Sequence, residues 1–444
     1  MNPLKIDIQH FLSKDEIERM ARETGFVERK SPITGTAFLL AMMAGAQGSA
    51  EGTLAEQTTF LCAAFGLTVS PQALDARFSA AATAFLESCL CKALAILKKA
   101  PHRVKALSRF KHVYAIDSTN FTLAPELVAV FKGSGGGGSK SAMRIQFVLD
   151  FCTGAMYLEV GDVTLCDPAA LASVVRDAKV PLDGECLFLS DLGYFKSSTF
   201  ADICSKPGIS FLSKMFFGMN IHKVDGSALD LDQKLKSNPS WFEEMITVGG
   251  ATCRMVAMRL DDSTAGQRIR RGNSNSDSKS GRISAQYRRF LHYAIFVTNL
   301  PPDYTMEKLF VLYRIRWQVE LVFKSWKSIL GIDRQRSAKK ARVRCEVYGR
   351  LIVATVVALL ESITMMATAG IVISRYKAAK VVKTCAGLLA TGVANGEIAL
   401  RNVVEMIVIT IGRLCRKAKC KKKPTIEQRL NASLGEYFVP ELPK

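Results

Sequence analysis

The segment Tyr313-Arg-Ile-Arg-Trp-Gln-Val-Glu-Leu-Val-Phe-Lys-Ser-Trp-Lys327 predicts one continuous helix whose polar side chains follow a helical spacing. Tyr313, Arg316, Glu320 and Lys327, here called the polar stripe, are separated by three, four and seven residues. At about 100° per residue they fall within about 60° of the helix circumference. A carboxylate flanked by two cations suits an enzyme that acts on phosphodiesters, because the acid can bind a metal while the cations neutralise phosphates. The alternative is an amphipathic surface helix with an Arg316 to Glu320 ion pair.

Two apolar runs elsewhere in the chain each end in an aspartate. They are His112-Val-Tyr-Ala-Ile-Asp117 and Cys186-Leu-Phe-Leu-Ser-Asp191, and each predicts a buried strand with an acid at its end. Taken singly, either acid could simply cap its strand. With Ser-Thr after Asp117, Leu-Gly-Tyr-Phe after Asp191 and the spacing Y-x2-R-x3-E-x6-K, the chain resembles the DDE transposases of insertion sequence family 4.

This resemblance implies an enzyme that cuts and joins DNA at a metal site. The implied catalytic and metal-binding residues are Asp117, Asp191 and Glu320, whose hard oxygen ligands favour two Mg2+ ions, with Mn2+ as a substitute. The implied steps are a nick at the element end, a hairpin intermediate, hairpin opening and strand transfer into target DNA. The expected DNA contacts around the triad are Tyr313, Arg316, Trp317, Lys324 and Lys327. Trp317 or Trp241 is a candidate to stack on an unpaired base.

Two other functions are compatible with the same residues. One is a nuclease with the same triad but no strand transfer, and the other is a catalytically inactive DNA-binding protein. The joining of pre-cleaved ends to a plasmid separates the nuclease from the transposase.

Composition and charge favour a nucleic-acid partner. The chain has 444 residues, 48% of them hydrophobic, which is enough for two or three domains. Its formal net charge of +20 favours double-stranded DNA first and an anionic membrane surface second. For a transposase the DNA comprises the terminal repeats and the target, and a homodimer is expected in the DNA complex.

The spacing of the cysteines and histidines and the sequence of the N-terminus indicate the cellular location. The 12 cysteines include no C-x2-C pair and the five histidines are isolated, which predicts reduced thiols, structural histidines and no zinc site. The N-terminus lacks the apolar stretch of a signal peptide. The expected location is the bacterial cytoplasm, in association with the nucleoid.

Residues 351–374 form an apolar run that is long enough to span a bilayer. Glu361 lies near its middle, where an ionised carboxylate would cost several kcal/mol in lipid. The run therefore predicts a helix buried inside the protein, and no membrane partner is expected.

The order of elements predicts an α/β protein in five parts. Residues 1–105 form an all-α DNA-binding domain, and residues 106–220 form the first part of a ribonuclease H-like core. Residues 221–303 form a β-rich insertion domain, residues 304–345 carry the catalytic glutamate on a helix of the core, and residues 346–444 form a helical region with a basic tail at 413–423.

Within the core, the pattern of residues 106–220 predicts the order β, β, β, α, β, α, β. The ribonuclease H-like fold uses this order and places its first and fourth strands side by side. That arrangement would bring Asp117 and Asp191 together from 74 residues apart. The Gly-rich residues 133–139 predict a flexible loop near this site, since the register does not fit a phosphate-binding P-loop.

Two other segments are candidates for DNA contact. Residues 54–65 and 70–77 predict a helix-turn-helix with Gln72, Asp75 and Arg77 facing a groove, although ordinary helix packing is an equal alternative. A Gly-, Ser- and Asn-rich loop between two predicted strands suggests an arm that contacts phosphates, or else a solvated run of charge. The basic residues of this arm are Arg268, Arg270, Arg271, Lys279, Arg282, Arg288 and Arg289.

Overall fold

The computed structural model describes residues 3–45, 52–101, 104–134, 140–275, 283–368, 371–417, 424 and 426–434. Most of the predicted Gly-rich loop, the basic tail after Lys417, and the arm residues Lys279 and Arg282 lie outside the described residues.

The described part of the N-terminal region is helical, as predicted, with six α-helices. They are α1 (Pro3–Phe11), α2 (Lys14–Glu23), α3 (Gly35–Gly45), α4 (Leu54–Phe65), α5 (Pro71–Asp75) and α6 (Ala80–Leu97). Thr53 and Glu56 form a reciprocal capping box at the start of α4, and Gly66 ends that helix in the left-handed conformation with φ 65°. Ser70 caps α5 ahead of Pro71.

The predicted recognition helix is only five residues long, and two of its candidate side chains make contacts within the chain. Arg77 donates to the Phe26 carbonyl at 2.9 Å and lies 4.3 Å from the centre of the Phe26 ring. Asp75 pairs with Lys339 and lies 3.8 Å from Arg342. These contacts are those of ordinary helix packing, and a groove-facing role for Arg77 and Asp75 stays a prediction. Gln72 is exposed.

The central element is a mixed sheet of nine strands among the described residues, in the order β3-β2-β1-β4-β5-β9-β8-β7-β6. The first five are β1 (His112–Thr122), β2 (Ala142–Asp150), β3 (Met156–Gly161), β4 (Cys186–Ser190) and β5 (Ile209–Lys214), with α7 (Asp167–Arg176) before β4 and α8 (Ser197–Cys204) before β5. The predicted order is confirmed. Strand β1 pairs antiparallel with β2 and parallel with β4, so the first and fourth strands are neighbours.

The strands of residues 221–303 extend the same sheet. They are β6 (His222–Lys223), β7 (Trp241–Val248), β8 (Ala251–Arg259) and β9 (Tyr293–Thr298). Strand β9 pairs antiparallel with β5, which places Val297 opposite Ser213 and joins this segment to the core by backbone hydrogen bonds. The three helices in this segment are α9 (Leu231–Lys236), α10 (Asp262–Ser274) and α11 (Ala285–Leu291).

The predicted loop of the basic arm is largely helical where it is described. Asp261 caps α10 through the Thr264 amide, and the helix continues through Arg268, Arg270 and Arg271. The prediction of a loop was wrong here, because the N-cap and the packing of Ala265 favour a helix despite the Gly and Asn content.

The predicted helix 313–327 is divided by a tighter turn. Helix α12 (Met306–Tyr313) is followed by a 3-10 turn at Arg314–Arg316 and then by α13 (Trp317–Ser328). The prediction of one continuous α-helix over residues 313–327 was therefore wrong. The remaining helices are α14 (Lys340–Ala367), α15 (Arg375–Thr384), α16 (Ala386–Ala394), α17 (Glu397–Leu414) and α18 (Ile426–Leu434).

Helices cover both faces of the sheet. On one face Phe147 of β2 packs against Trp326 of α13, with 5.0 Å between ring centres, and α14 connects this core to the N-terminal helices. Gly349 of α14 permits that approach, since an added Cβ would lie 2.9 Å from the Met42 carbonyl oxygen of α3. On the opposite face Phe188 and its neighbours pack against α7 and α8.

Two described helices, α6 and α14, are long and apolar enough to cross a membrane by those criteria alone. In α14 the most apolar window is 83% buried inside the protein. Glu361 lies in this helix and accepts a hydrogen bond from Arg375 at 2.6 Å. The prediction of a buried helix is confirmed, and the ion pair explains how the core accommodates an acid.

A buried ion pair lies at the start of β1. His112 Nδ1 is 2.8 Å from Asp150 Oδ2, and the Asp150 carboxylate also accepts hydrogen bonds from the Cys152 amide and the Thr153 hydroxyl. Burial alone would lower the pKa of His112, but the hydrogen bonds and charges of Asp150 and Asp183 together outweigh burial and raise this pKa above its ordinary value of 6.5.

We expect this pair to make stability depend on pH. Because the pKa of His112 is higher in the folded state, its contribution is complete below pH 6.5 and is lost as the pH rises through the raised pKa. As the pH is raised above about 6.5, the urea concentration at the midpoint of unfolding should therefore decrease in the wild type. The decrease should be smaller in His112→Gln. An exposed control, His222→Gln, should keep the wild-type slope, and equal slopes for all three proteins would contradict the assignment.

Candidate active site

Three carboxylates converge where β1 and β4 lie side by side. Asp191 follows the last residue of β4, as predicted, and Glu320 lies in the first turn of α13. Asp117 was predicted at a strand end, but it lies inside β1, which continues to Thr122 because it pairs with β2 along that whole length. The parallel pairing of β1 with β4 brings the two aspartates to the same region of the sheet.

The Arg316 guanidinium lies among the three carboxylates. Its Nη1 is 2.9 Å from Asp117 Oδ2 and 3.8 Å from Asp191 Oδ2. Its Nη2 donates to Glu320 Oε1 at 2.8 Å. The side chain is only 9% exposed, so one buried cation links acids from a strand, a strand end and a helix.

The rest of the polar stripe faces the same region. The Tyr313 hydroxyl donates to Asp191 Oδ1 at 3.1 Å, and Lys327 Nζ donates to the Asn120 carbonyl of β1 at 3.2 Å. The prediction that one helix face carries these groups toward a site is therefore confirmed in its contacts, although a 3-10 turn replaces one turn of the helix.

The two aspartates have different electrostatic surroundings. Burial raises the pKa of Asp117 to about 6, and the charges of Asp191 and Glu320 add to this effect, while the Ser118 amide and Arg316 oppose it. Burial would also raise the pKa of Asp191, but Arg316, the Leu192 amide and Lys214 outweigh it, so this pKa is lowered. A cation placed between the acids would favour the ionised form of both.

Oxygen donors in this arrangement suit a hard divalent cation. Three carboxylates share one guanidinium, and burial together with the charges of the other two acids raises the pKa of Asp117. As the side chains stand, the described residues include no group of three acidic, histidine or cysteine side chains close enough to ligate one ion. Since Arg316 lies between the acids, a metal would have to take the place of its guanidinium.

Hydrogen bonds behind the triad fix the loop that carries Asp191. The buried Tyr194 hydroxyl donates to Gln146 Oε1 of β2 at 2.7 Å, and Gln146 Nε2 donates to Asp167 Oδ1 at 2.9 Å. Ser118 donates to the same Asp167 oxygen at 2.8 Å. The tyrosine after Asp191 therefore links its loop to the strand beside Asp117.

Lys214 is a site residue that the sequence analysis missed. It ends β5, and its Nζ lies 5.1 Å from the centre of the Tyr313 ring. Burial lowers its pKa, and the charges of Arg268 and Arg316 act in the same direction, while Asp191 opposes them. The sequence shows a lysine at the end of a predicted strand, which is a weak indication of a site residue. Only the pairing of β5 with β4 shows that Lys214 lies near Asp191.

The other predicted DNA contacts differ in exposure. Trp317 and Trp241 are each 56% exposed, so neither is a core residue, and Lys324 is exposed on α13. Arg268 is directed inward and donates to the Tyr293 carbonyl, which removes it from the predicted phosphate contacts. The remaining predicted contacts Arg270 and Arg271 are exposed, whereas Arg289 pairs with Asp232 at 2.7 Å.

Three acids on neighbouring strands and a facing helix, with cations around them, are an arrangement that suits reactions at phosphodiesters. The chain belongs to the Transposase DDE domain family, which it matches over residues 108–356, and it is a DDE transposase of the kind that insertion sequences carry.

Several transposases are similar to this chain along most of their length. The transposase for insertion sequence element IS231F of Bacillus thuringiensis subsp. israelensis is 26% identical over 378 residues, which cover 79% of this chain and 78% of the relative. The transposase for insertion sequence element IS1151 of Clostridium perfringens is 26% identical over 458 residues, covering 95% and 94%. A cryo-EM structure of the piggyBac transposase synaptic complex with hairpin DNA has a TM-score of 0.49 at 9% identity, covering 94% of this chain and 87% of that one, a likeness too low to support an argument.

We expect the Arg316 guanidinium to compete with a divalent cation for the three carboxylates. Arg316→Met should lose stability on the order of 3 kcal/mol in EDTA, because it leaves partly buried acids without their cation. Added Mg2+ should raise the urea midpoint more in this variant than in the wild type, since only the variant lacks the competing guanidinium.

The matched control is Arg176→Met, which removes an exposed arginine paired with Asp177. Its midpoint should respond to Mg2+ as the wild type does. An equal Mg2+ response in Arg316→Met would show that the metal does not take the place of this guanidinium.

Proposed function

We propose that this transposase binds the terminal inverted repeats of its insertion sequence, cleaves the element ends and joins them to target DNA. The observation that supports the proposal is the convergence of Asp117, Asp191 and Glu320 around a single cation. When bound, two divalent ions, Mg2+ or Mn2+, would activate an attacking oxygen and stabilise a leaving oxygen. The three carboxylates would hold those ions.

The polar stripe would then bind the DNA strand. If a metal took the place of its guanidinium, Arg316 would be free to turn toward a phosphate, and Lys327 on the β1 side would bind another phosphate of the strand. Tyr313 keeps Asp191 oriented through its hydroxyl. The exposed Trp317 and Lys324 lie on the outer surface of the same helix, where Trp317 can stack on an unpaired base of a hairpin.

The reaction would proceed through a nick at the element end and attack of the freed 3′ hydroxyl on the opposite strand to form a hairpin. Hairpin opening and strand transfer would follow. Each chain carries one triad and an element has two ends, so we infer that two copies act together on the DNA. Exposed Arg270 and Arg271 would bind phosphates, and exposed Gln72 remains the candidate for a base contact in the N-terminal helices.

The triad is tested by Asp117→Ala, Asp191→Ala and Glu320→Gln. Each should abolish cleavage in Mg2+ while leaving binding to the element ends within about twofold, because the carboxylates act on the metals rather than on the DNA. Gel-shift and cleavage assays on the same labelled end measure both properties. Glu159→Gln, which changes an exposed glutamate of β3, should cleave normally.

Retained cleavage by Glu320→Gln would refute the site. If the wild type cleaves but cannot join pre-cleaved ends to a plasmid, the protein is a nuclease with the same triad and the strand-transfer part of the proposal fails.

Lys214 should contribute to chemistry without contributing to end binding. Its ammonium lies on the Asp191 side of the triad, so Lys214→Met should slow cleavage by roughly 100-fold while the Kd for the end changes little. Lys214→Arg should recover part of the rate, because it restores the charge. Lys111→Met removes an exposed lysine paired with Asp183 and is the control. A parallel loss of affinity and rate in Lys214→Met would instead indicate a role in folding or in end binding.

A further inference from the structure

A second cavity begins a few residues beyond Asp191. Its volume is about 710 Å3, and three segments line it: residues 195–197 at the start of α8, residues around the end of β5 and β6, and the turn between β7 and β8. We call it the β6 cavity. The DNA contacts proposed above do not use it.

The β6 cavity adjoins the catalytic site. Phe195 lies four residues after Asp191, and its ring centre is 5.5 Å from that of Phe216. Phe216 follows Lys214 by two residues, and Lys214 lies beside Tyr313. A strand that crosses the triad on the Asp191 side would therefore pass Lys214 and reach this cavity.

Cationic and apolar groups alternate on its walls. Lys196, Lys223, His222 and Asn220 supply positive charge and hydrogen-bond donors, and none of the described lining residues is acidic. Neither lysine forms an ion pair with a described residue, although Lys223 helps to lower the pKa of nearby Asp225. Phe216, Met219 and Val224 provide apolar surface.

The floor of the cavity is fixed by a close backbone contact. A Cβ on Gly249, in the turn between β7 and β8, would collide with the Ser197 carbonyl oxygen, so this turn rests directly on the start of α8. Beside it, Gly250 has φ 91° and faces open space. Two lysines beside apolar side chains, over a fixed backbone floor, suit a polyanion that carries bases, which is a DNA strand.

We propose that the β6 cavity binds the DNA on the far side of the scissile phosphate from the element end. This inference rests on the proposed function, in which the polar stripe holds the terminal nucleotides. Within the stripe, Tyr313 contacts Asp191 and lies beside Lys214, whereas Lys327 contacts β1. The Lys327 end of the stripe therefore lies on the β1 side of the triad, and the cavity lies on the Asp191 side. Before cleavage the DNA on the cavity side is the donor DNA that flanks the element. During joining it is the target DNA. Both offer the same phosphates and bases to the cavity.

The test uses Lys196→Ala/Lys223→Ala in the full chain, with Asp191→Ala added for binding measurements so that the flank stays attached. Ends with a long flank, a short flank and no flank are titrated at several salt concentrations. We expect a long flank to tighten binding in the parent. The double substitution should abolish this gain and lower the slope of log affinity against log salt by about 1.8, since it removes two phosphate contacts. Affinity for the flankless end should not change.

A second part of the experiment measures how strand joining depends on the concentration of target DNA. With pre-cleaved ends and an intact triad, the plasmid concentration that gives half-maximal joining should rise in Lys196→Ala/Lys223→Ala if target DNA occupies the cavity, and should stay constant if only the flank does. The control Lys179→Ala/Lys236→Ala removes the same charge from exposed lysines paired with Glu159 and Asp232.

An unchanged flank gain together with an unchanged plasmid dependence would overturn the proposal. Failure of the proposed function has a different signature, because a parent protein without preference for element ends would show no specific binding in any arm.

Discussion

Three partly buried carboxylates that are ionised repel one another, and Arg316 supplies the positive charge that lies between them. Its guanidinium ties together β1, the end of β4 and α13, which are distant in sequence. The positions of the flanking groups depend on this arrangement. Tyr313 donates to Asp191 and Lys327 donates to β1 on either side of the Arg316 contacts, so the same segment touches the sheet at several points. The same contact neutralises the carboxylates when no metal is bound. A metal ion would therefore have to displace the guanidinium in order to bind them.

The chemistry also depends on how the sheet is supported from behind. Tyr194, Gln146 and Asp167 form a hydrogen-bonded chain between the loop after β4, strand β2 and the start of α7. Because all of these groups are paired, the loop that carries Asp191 has little freedom to move. Farther away, α14 packs on α13 and also on α3, where Gly349 permits close backbone contact. The N-terminal helices are therefore part of the same core as the catalytic helix.

Sequence reasoning succeeded where a pattern has one physical cause. Apolar runs of five or six residues predicted β4 and β5, and the i, i+3, i+4 spacing predicted that Arg316 and Glu320 share a face. It failed where the outcome depends on a distant partner. The end of β1 was missed because its second half is polar and is held by pairing with β2, and α10 was missed because Gly and Asn obscured a capped helix. Arg77 has the residue type of a base reader, yet only its contact with Phe26 shows where it points.

Strand β9 returns beside β5, so the segment from residue 215 to residue 292, which includes strands β6, β7 and β8 of the same sheet, begins and ends at adjacent positions. A segment with neighbouring ends can lengthen, shorten or be replaced at a small entropic cost, since the closure penalty grows only slowly with length. The basic helix α10 and most of the residues that line the β6 cavity lie within this segment, whereas Lys196 and the three acids Asp117, Asp191 and Glu320 lie outside it. Residues 215–292 can therefore vary in length and in the DNA contacts that they make, while the geometry of the three carboxylates stays the same.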